Sequence, residues 1–188
     1  MKYLIITISI ALNIIFVIFF LQRSNNVTNV YSTKIDGTPM YKERLEMPDG
    51  EVAERVLVDG VLIKESIFFS DGTLKEVRNY KNNQKHGDWT IYYKNKDATN
   101  KERKKQNSYY DNGKLTELVQ YNYTGSLNKL SALLSMSENT YMIHNYYPNG
   151  QIQSAGRVRQ REESGEDKYG IWIIYDEQGF VRQEKSYD

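Results

Sequence analysis

The chain has 188 residues, with 25 Lys plus Arg against 24 Asp plus Glu, so its formal charge of +1 gives no whole-chain electrostatic basis for gripping nucleic acid. Aromatic residues make up 13% of it and 16 of them are Tyr, which excludes a disordered chain. The lack of Cys excludes disulfides, thiolate zinc sites, iron–sulfur clusters and Cys nucleophiles, and two His leave little for imidazole chemistry.

The first element is an apolar run, Tyr3 to Leu21, interrupted only by Thr7, Ser9 and Asn13. As a helix it would span roughly 28 Å at about 1.5 Å per residue, close to the hydrocarbon thickness of a bilayer. A cleaved signal peptide is the competing reading. Such peptides have a shorter apolar core and end at a small-x-small site, whereas this run ends in Phe19-Phe20-Leu21-Gln22-Arg23. Residues 1–23 are therefore expected to be a single transmembrane anchor. Lys2 on one side and Arg23, Lys34, Lys42 and Arg44 on the other nearly balance the positive-inside rule. The lack of Cys favours a periplasmic or otherwise extracytoplasmic domain. Residues 24–45, led by the Asn-, Ser- and Thr-rich stretch Ser24 to Thr38, are expected to be a polar linker. Residues 46–188 form the remaining unit.

That unit repeats. Turn-forming pairs occur at Asp49-Gly50, Asp59-Gly60, Asp71-Gly72, Asn112-Gly113 and Asn149-Gly150, with Gln178-Gly179 as a variant. Two positions after five of these glycines come Val52, Leu74, Leu115, Ile152 and Val181. Eight positions after them come Val58, Tyr80, Tyr121, Val158 and Tyr187. Even offsets put these residues on one face of a strand. Aromatic pairs precede three of the turns: Phe68-Phe69, Tyr109-Tyr110 and Tyr146-Tyr147. A second element, Gly-x-Trp-x-x-Tyr, occurs at Gly87-Asp88-Trp89 and again at Gly170-Ile171-Trp172. The pattern predicts an antiparallel meander of short strands, each hairpin too small to bury a core alone and stabilised by its neighbours. Tyr80, Trp89, Tyr121, Trp172 and Tyr187 hold repeated positions and are expected to be structural.

Three stretches interrupt the array. Lys94 to Lys105 is strongly basic and is expected to be a solvated loop, with phosphate or anionic lipid binding as the sharper alternative. Ser126 to Met136 places Leu127, Leu130, Leu133 and Leu134 at helical spacing behind a candidate Ser126 cap, which predicts a short amphipathic helix over the sheet. Arg159 to Asp167 is expected to be a charged hairpin loop.

Candidates for catalysis are thin. His86 and His144 lie far apart in sequence, and His86 occupies a slot filled by Tyr169 in the other copy, as a packing residue would. Glu162, Glu163, Glu166 and Asp167 sit on the expected loop tip among Arg161 and Lys168, where a solvated role outweighs a carboxylate pair or cation site. There is no nucleophile elbow, P-loop or dinucleotide fingerprint in the sequence. The reading is non-enzymatic, with no catalytic, cofactor-binding or metal residue assigned and no cofactor expected.

The block Phe68 to Tyr93, with Asp71-Gly72, Leu74, Tyr80, His86-Gly87, Trp89 and Tyr92-Tyr93, resembles the bacterial variant of the MORN repeat. Tyr146 to Tyr175 resembles it again, and Tyr109 to Tyr121 resembles half of it. Chains built of such repeats are similar to the YwqK-family antitoxins. The resemblance implies an all-β fold, an open antiparallel meander of repeated β-hairpins, here behind one N-terminal transmembrane helix. It also implies a bacterial protein that binds a protein partner, an antitoxin or immunity-like protein covering a toxin. A structural or lipid-associating scaffold of the cell envelope is the alternative. Open sheet edges add the prospect of a homo-oligomer.

Overall fold

The computed structural model describes residues 27–35, 38–94, 101–161 and 165–187; the expected anchor of residues 1–23 lies outside them. The described chain forms fourteen strands: β1 (Val27–Ile35), β2 (Thr38–Glu46), β3 (Val52–Val58), β4 (Val61–Phe68), β5 (Leu74–Lys81), β6 (Gln84–Lys85), β7 (Gly87–Tyr92), β8 (Lys104–Asp111), β9 (Lys114–Tyr121), β10 (Leu127–Ser135), β11 (Thr140–Tyr146), β12 (Ile152–Arg161), β13 (Gly165–Tyr175) and β14 (Val181–Tyr187). Thirteen of them run as one antiparallel meander in chain order, and the two-residue β6 pairs only with β5. None of the described residues is helical. Packing among the described strands is essentially between sheet neighbours, so the sheet is a single layer. The expected open all-β meander is what these residues form.

Two turn chemistries alternate, one on each side of the sheet. On one side both turn residues have positive φ: Asp59-Gly60 (50° and 74°), Asn82-Asn83 (51° and 60°) and Asn112-Gly113 (45° and 85°). Such turns match the right-handed twist of the flanking strands, and Asn, Asp and Gly tolerate the left-handed backbone best. On the other side are the five corners Met47–Glu51, Phe69–Thr73, Asn122–Ser126, Tyr147–Gln151 and Asp176–Phe180. In each, the first N–H donates to the fifth carbonyl and the N–H of a fourth-position glycine donates to the first carbonyl. These glycines have φ between 79° and 91°. An Asp or Asn side chain closes each corner by accepting a backbone N–H, as Asp71 Oδ1 does from Thr73 at 2.9 Å and Asn149 Oδ1 from Gln151 at 3.0 Å. The Asp-Gly and Asn-Gly pairs, alike in sequence, thus divide into two geometries.

Three expectations are corrected. Ser126 to Met136 is no helix: Leu127–Ser135 is β10, paired with β9 and β11. The backbones of β9 and β11 each leave one edge to be paired, and a strand between them satisfies both where a helix would satisfy neither. Ser126 caps nothing; its N–H donates to Asn122 Oδ1 at 3.1 Å inside the corner. The linker expected over residues 24–45 instead contributes β1 and most of β2, which pair with each other and, through β2, with β3. A polar composition suits strands with wet faces as well as it suits a tether. The hairpin loop expected over Arg159 to Asp167 is mostly strand: Arg159 pairs with Asp167 and Arg161 with Gly165.

Cross-strand register assigns side chains to two faces. One carries both Trp residues. Here Tyr141, Ile143, Val158 and Trp172 are 2–3% exposed and form the core, with Leu133 and Tyr187 packed against them. In one layer this burial comes from neighbours on the same face, and each such aliphatic side chain contributes about 1.5–3 kcal/mol. The Trp172 ring lies flat on Gly156, where a Cβ would fall 2.2 Å from the ring. Gly156→Ala should therefore lower stability by about 2 kcal/mol through overpacking. Thermal denaturation should show the loss together with a red shift of the Trp emission maximum; an unchanged melting temperature would contradict this packing.

Candidate functional site

The two Gly-x-Trp copies build the same local arrangement. In the first, Gly87 pairs with Tyr110; in the second, Gly170 pairs with Tyr187. Trp89 Nε1 donates to the Asn79 carbonyl at 2.7 Å, and Trp172 Nε1 donates to the Arg157 carbonyl at 3.0 Å. Lys85 Nζ stands 4.5 Å from the Trp89 ring centroid and 4.9 Å from that of Tyr110. Lys168 Nζ stands 4.3 Å from Trp172 and 5.4 Å from Tyr187. Each Lys stem covers apolar ring surface while its ammonium interacts with the ring quadrupole. Tyr80 meets Trp89 edge-on at 5.3 Å and Tyr187 meets Trp172 at 6.4 Å, so four of the expected structural aromatics pack as two separate pairs. Tyr121 is half-buried on β9, and its carbonyl accepts the Tyr93 hydroxyl at 2.9 Å.

The copies differ beneath the Trp ring. The residue under Trp172 is Gly156, and the residue in the matching place before Asn79 is Arg78. Its guanidinium lies 5.5 Å from the Trp89 centroid and donates to Glu65 Oε2 at 2.9 Å and Glu76 Oε2 at 2.8 Å. Glu65, 4% exposed, also accepts from Arg55 Nε at 2.7 Å. Burial acts to raise the Glu65 pKa, but the hydrogen bonds and charges of Arg55 and Arg78 outweigh it and hold the carboxyl below its ordinary value. Hydrogen bonding to Glu76 raises Arg78 against its own desolvation.

The opposite face changes character along the sheet. A single register row runs Arg44, Glu54, Ser66, Val77, Thr90, Asn107, Val119, Leu130, His144, Ala155, Ile173, Glu184 across β2 to β14. It is charged on β2 and β3 and, except for His144, apolar over β9–β13. At the charged end Lys42, Val56 and Lys64 are directly opposed. They line a groove of about 450 Å³ together with Arg44 and Glu54, which are ion-paired at 2.8 Å. Among the described residues neither Lys42 nor Lys64 has an acidic partner, so the groove is net positive. At the other end Met142, His144, Ala155, Arg157, Ile171, Ile173 and Glu184 line a shallow trough.

The residues flagged for chemistry do not converge. His86, before β7, lies 3.6 Å from Asp111 Oδ1, while His144 is in the middle of β11 between Leu130 and Ala155. Glu162 and Glu163 lie outside the described residues. Glu166 Oε1 takes Lys129 Nζ at 2.7 Å, an ion pair between β13 and β10. Among the described residues no three His, Asp or Glu side chains are grouped to hold a metal ion. Of the basic stretch Lys94 to Lys105, residues 95–100 lie outside the description and Lys104-Lys105 begin β8. Arg103 stacks 3.9 Å from the Tyr123 centroid and donates to its hydroxyl at 2.6 Å. The positive groove and the Arg55–Glu65–Arg78 network were both missed in the sequence. The alternation of Lys42 and Arg44 marks one face of a strand, but only strand pairing brings Lys64 beside them.

Residues 104–123, which are β8, its turn, β9 and the start of the following corner, match the MORN repeat variant. This is the segment read from sequence as a half repeat, and the same hairpin unit recurs on either side of it. No curated protein matches the chain.

The Glu65 network has a definite pH signature. A carboxyl held below its ordinary pKa contributes stability that is complete above the ordinary value and is lost as pH falls through the lower folded value. The melting temperature should therefore drop between about pH 5 and pH 3. Glu65→Gln should melt lower at pH 7 and show a flatter profile over that interval; a profile as steep as the wild type would place the acid sensitivity elsewhere.

Proposed function

We propose that this chain is a non-enzymatic binding protein, tethered to a membrane by residues 1–23, that neutralises a protein toxin by covering it as an antitoxin or immunity protein does. The observation that carries the reading is the net positive groove across β2–β4, where Lys42 and Lys64 flank Val56 on a face that no other described strand covers. A broad, open, charged surface suits a protein partner better than a small molecule, which needs a concave and mostly apolar pocket. Lys42 and Lys64, which have no acidic partner among the described residues, favour an acidic partner and speed its capture. The MORN repeat variant at residues 104–123 agrees with a repeat scaffold whose work is binding. The expected anchor would hold the domain at the membrane on its extracytoplasmic side. The alternative reading, an envelope scaffold that associates with lipid, draws on the exposed Lys94, Lys101, Lys104 and Lys105.

The test is co-expression with the toxic product of an adjacent gene. The full chain should restore growth, and Lys42→Glu combined with Lys64→Glu should reduce rescue at least about tenfold by weakening the encounter and the complex. Persistent growth arrest despite full expression of the wild-type chain would overturn the protective role and favour the scaffold.

A further inference from the structure

We propose that the second face, over β2 to β9, is the surface on which two copies of this chain pair, sheet on sheet, about a twofold axis running along β5. The proposal does not rest on the toxin reading, although both use Lys42 and Lys64.

One row of that face carries the argument. Lys42, Val56, Lys64 and Asn79 are directly opposed on β2 to β5. Asn79 Nδ2 donates to the Asp88 carbonyl at 2.5 Å, and Asp88, Tyr109 and Glu117 continue the row over β7 to β9. Across these neighbouring strands the row runs cation, aliphatic, cation, amide, anion, aromatic, anion. Charge thus changes sign about its middle residue, Asn79. The four charged residues and Tyr109 are exposed. None of the four is ion-paired among the described residues, and Asp88 Oδ1 accepts Asn107 Nδ2 at 3.3 Å. No other described strand covers the row.

A row of this kind specifies its own partner. Rotation about β5 sets Lys42 of each copy against Glu117 of the other, and Lys64 against Asp88, so four ion pairs form by one operation. It also sets Tyr109 against Val56. Lys64 and Tyr109 are long where Asp88 and Val56 are short, which suits sheets stacked about 10 Å apart. In the adjacent row the same rotation sets Arg44 against Val119, Glu54 against Asn107, Ser66 against Thr90 and Val77 against itself, with no like charges opposed. Lys81, exposed beside the Asn82-Asn83 turn, meets its own copy at the margin, where water and salt screen it. Backbone shape agrees: strand twist makes a sheet a saddle, and a twofold axis along its middle strand carries a saddle onto itself. Strands about 4.8 Å apart and about five residues deep offer roughly 500 Å² per copy over this span, the low end for a specific interface, so the dimer should be weak and concentration-dependent. Each copy then fills the other's positive groove with its own acidic half, and an outside acidic partner has to displace it.

The test is the mass of the full chain in a mild detergent, by sedimentation equilibrium over about 1–100 µM, the range expected of a small interface. A monomer–dimer equilibrium is expected. Lys42→Glu combined with Lys64→Glu should weaken it at least about tenfold, and so should Asp88→Lys combined with Glu117→Lys. Mixing these two variants should restore dimers of one copy of each, because all four facing pairs are then again of opposite sign. Circular dichroism and melting temperature matching the wild type establish that each variant folds. A monomer throughout the range overturns the proposal. So does a dimer indifferent to both double variants, which would place the contact at a sheet edge or in residues 1–23. Failure of the mixture to form the mixed dimer overturns the twofold arrangement. No toxin enters the measurement, so its failure and a failure of growth rescue are separate results.

Discussion

One constraint governs the described strands: they form a single-layer sheet, with no opposing layer among them to bury its side chains. Every strand must find its stabilisation sideways, in ladder hydrogen bonds and in contacts along its own face. The corners show how this is done. Tyr93 donates its hydroxyl to the Tyr121 carbonyl, and Tyr147 donates to the Tyr175 carbonyl, each at 2.9 Å and each across 28 residues of chain. The phenol ring packs against one hairpin while its hydroxyl satisfies a backbone carbonyl of another. That explains why Tyr outnumbers Phe and Trp together in this chain. Phe69 occupies the same place in its corner and cannot donate; Lys75 and Lys94 stand over its ring instead, at 5.6 and 5.8 Å.

The same constraint separates the two Trp copies. Trp172 sits on a bare glycine and is 2% exposed, while Trp89 has Arg78 beneath it and is half-buried. The glycine lets the ring press against the backbone and makes that region the apolar core. The arginine puts a charge there instead, which is satisfied by carboxylates from two strands. One motif therefore anchors a packed core near β13 and a polar network near β5. The second face changes along the sheet in the same direction, charged over β2–β4 and largely apolar over β9–β13, which gives one layer two surfaces of different character.

Much of the fold was legible in the residues. Asp-Gly and Asn-Gly pairs mark corners because few other residues accept positive φ, and even offsets after them mark a face because side chains alternate along a strand. The same logic missed Asn82-Asn83 and Gly125, which close a turn and a corner without the expected pair. Leu127, Leu130, Leu133 and Leu134 misled because leucines at helical spacing also fit a strand with apolar residues on both faces: Leu130 is opposed to Val119 and His144 on one face, while Leu133 packs against the core on the other. The polar stretch before residue 46 misled because composition separates tether from strand only when a strand must bury one face. The candidate surfaces were barely legible, since each draws its residues from several strands.

The sequence by itself determined where the chain turns, that it repeats and that its hairpins run antiparallel, because these follow from backbone sterics and from the two-residue period of a strand. Only the tertiary structure decided which residues become neighbours across strands. Lys42 meets Val56 and Lys64, Glu65 meets Arg55 and Arg78, and Ile171 comes to stand beside Ala155 through ladder register, a relation between distant segments that no local pattern encodes. Register is set by the bulges and corners acting together along the whole meander, so the faces exist only once the strands have paired.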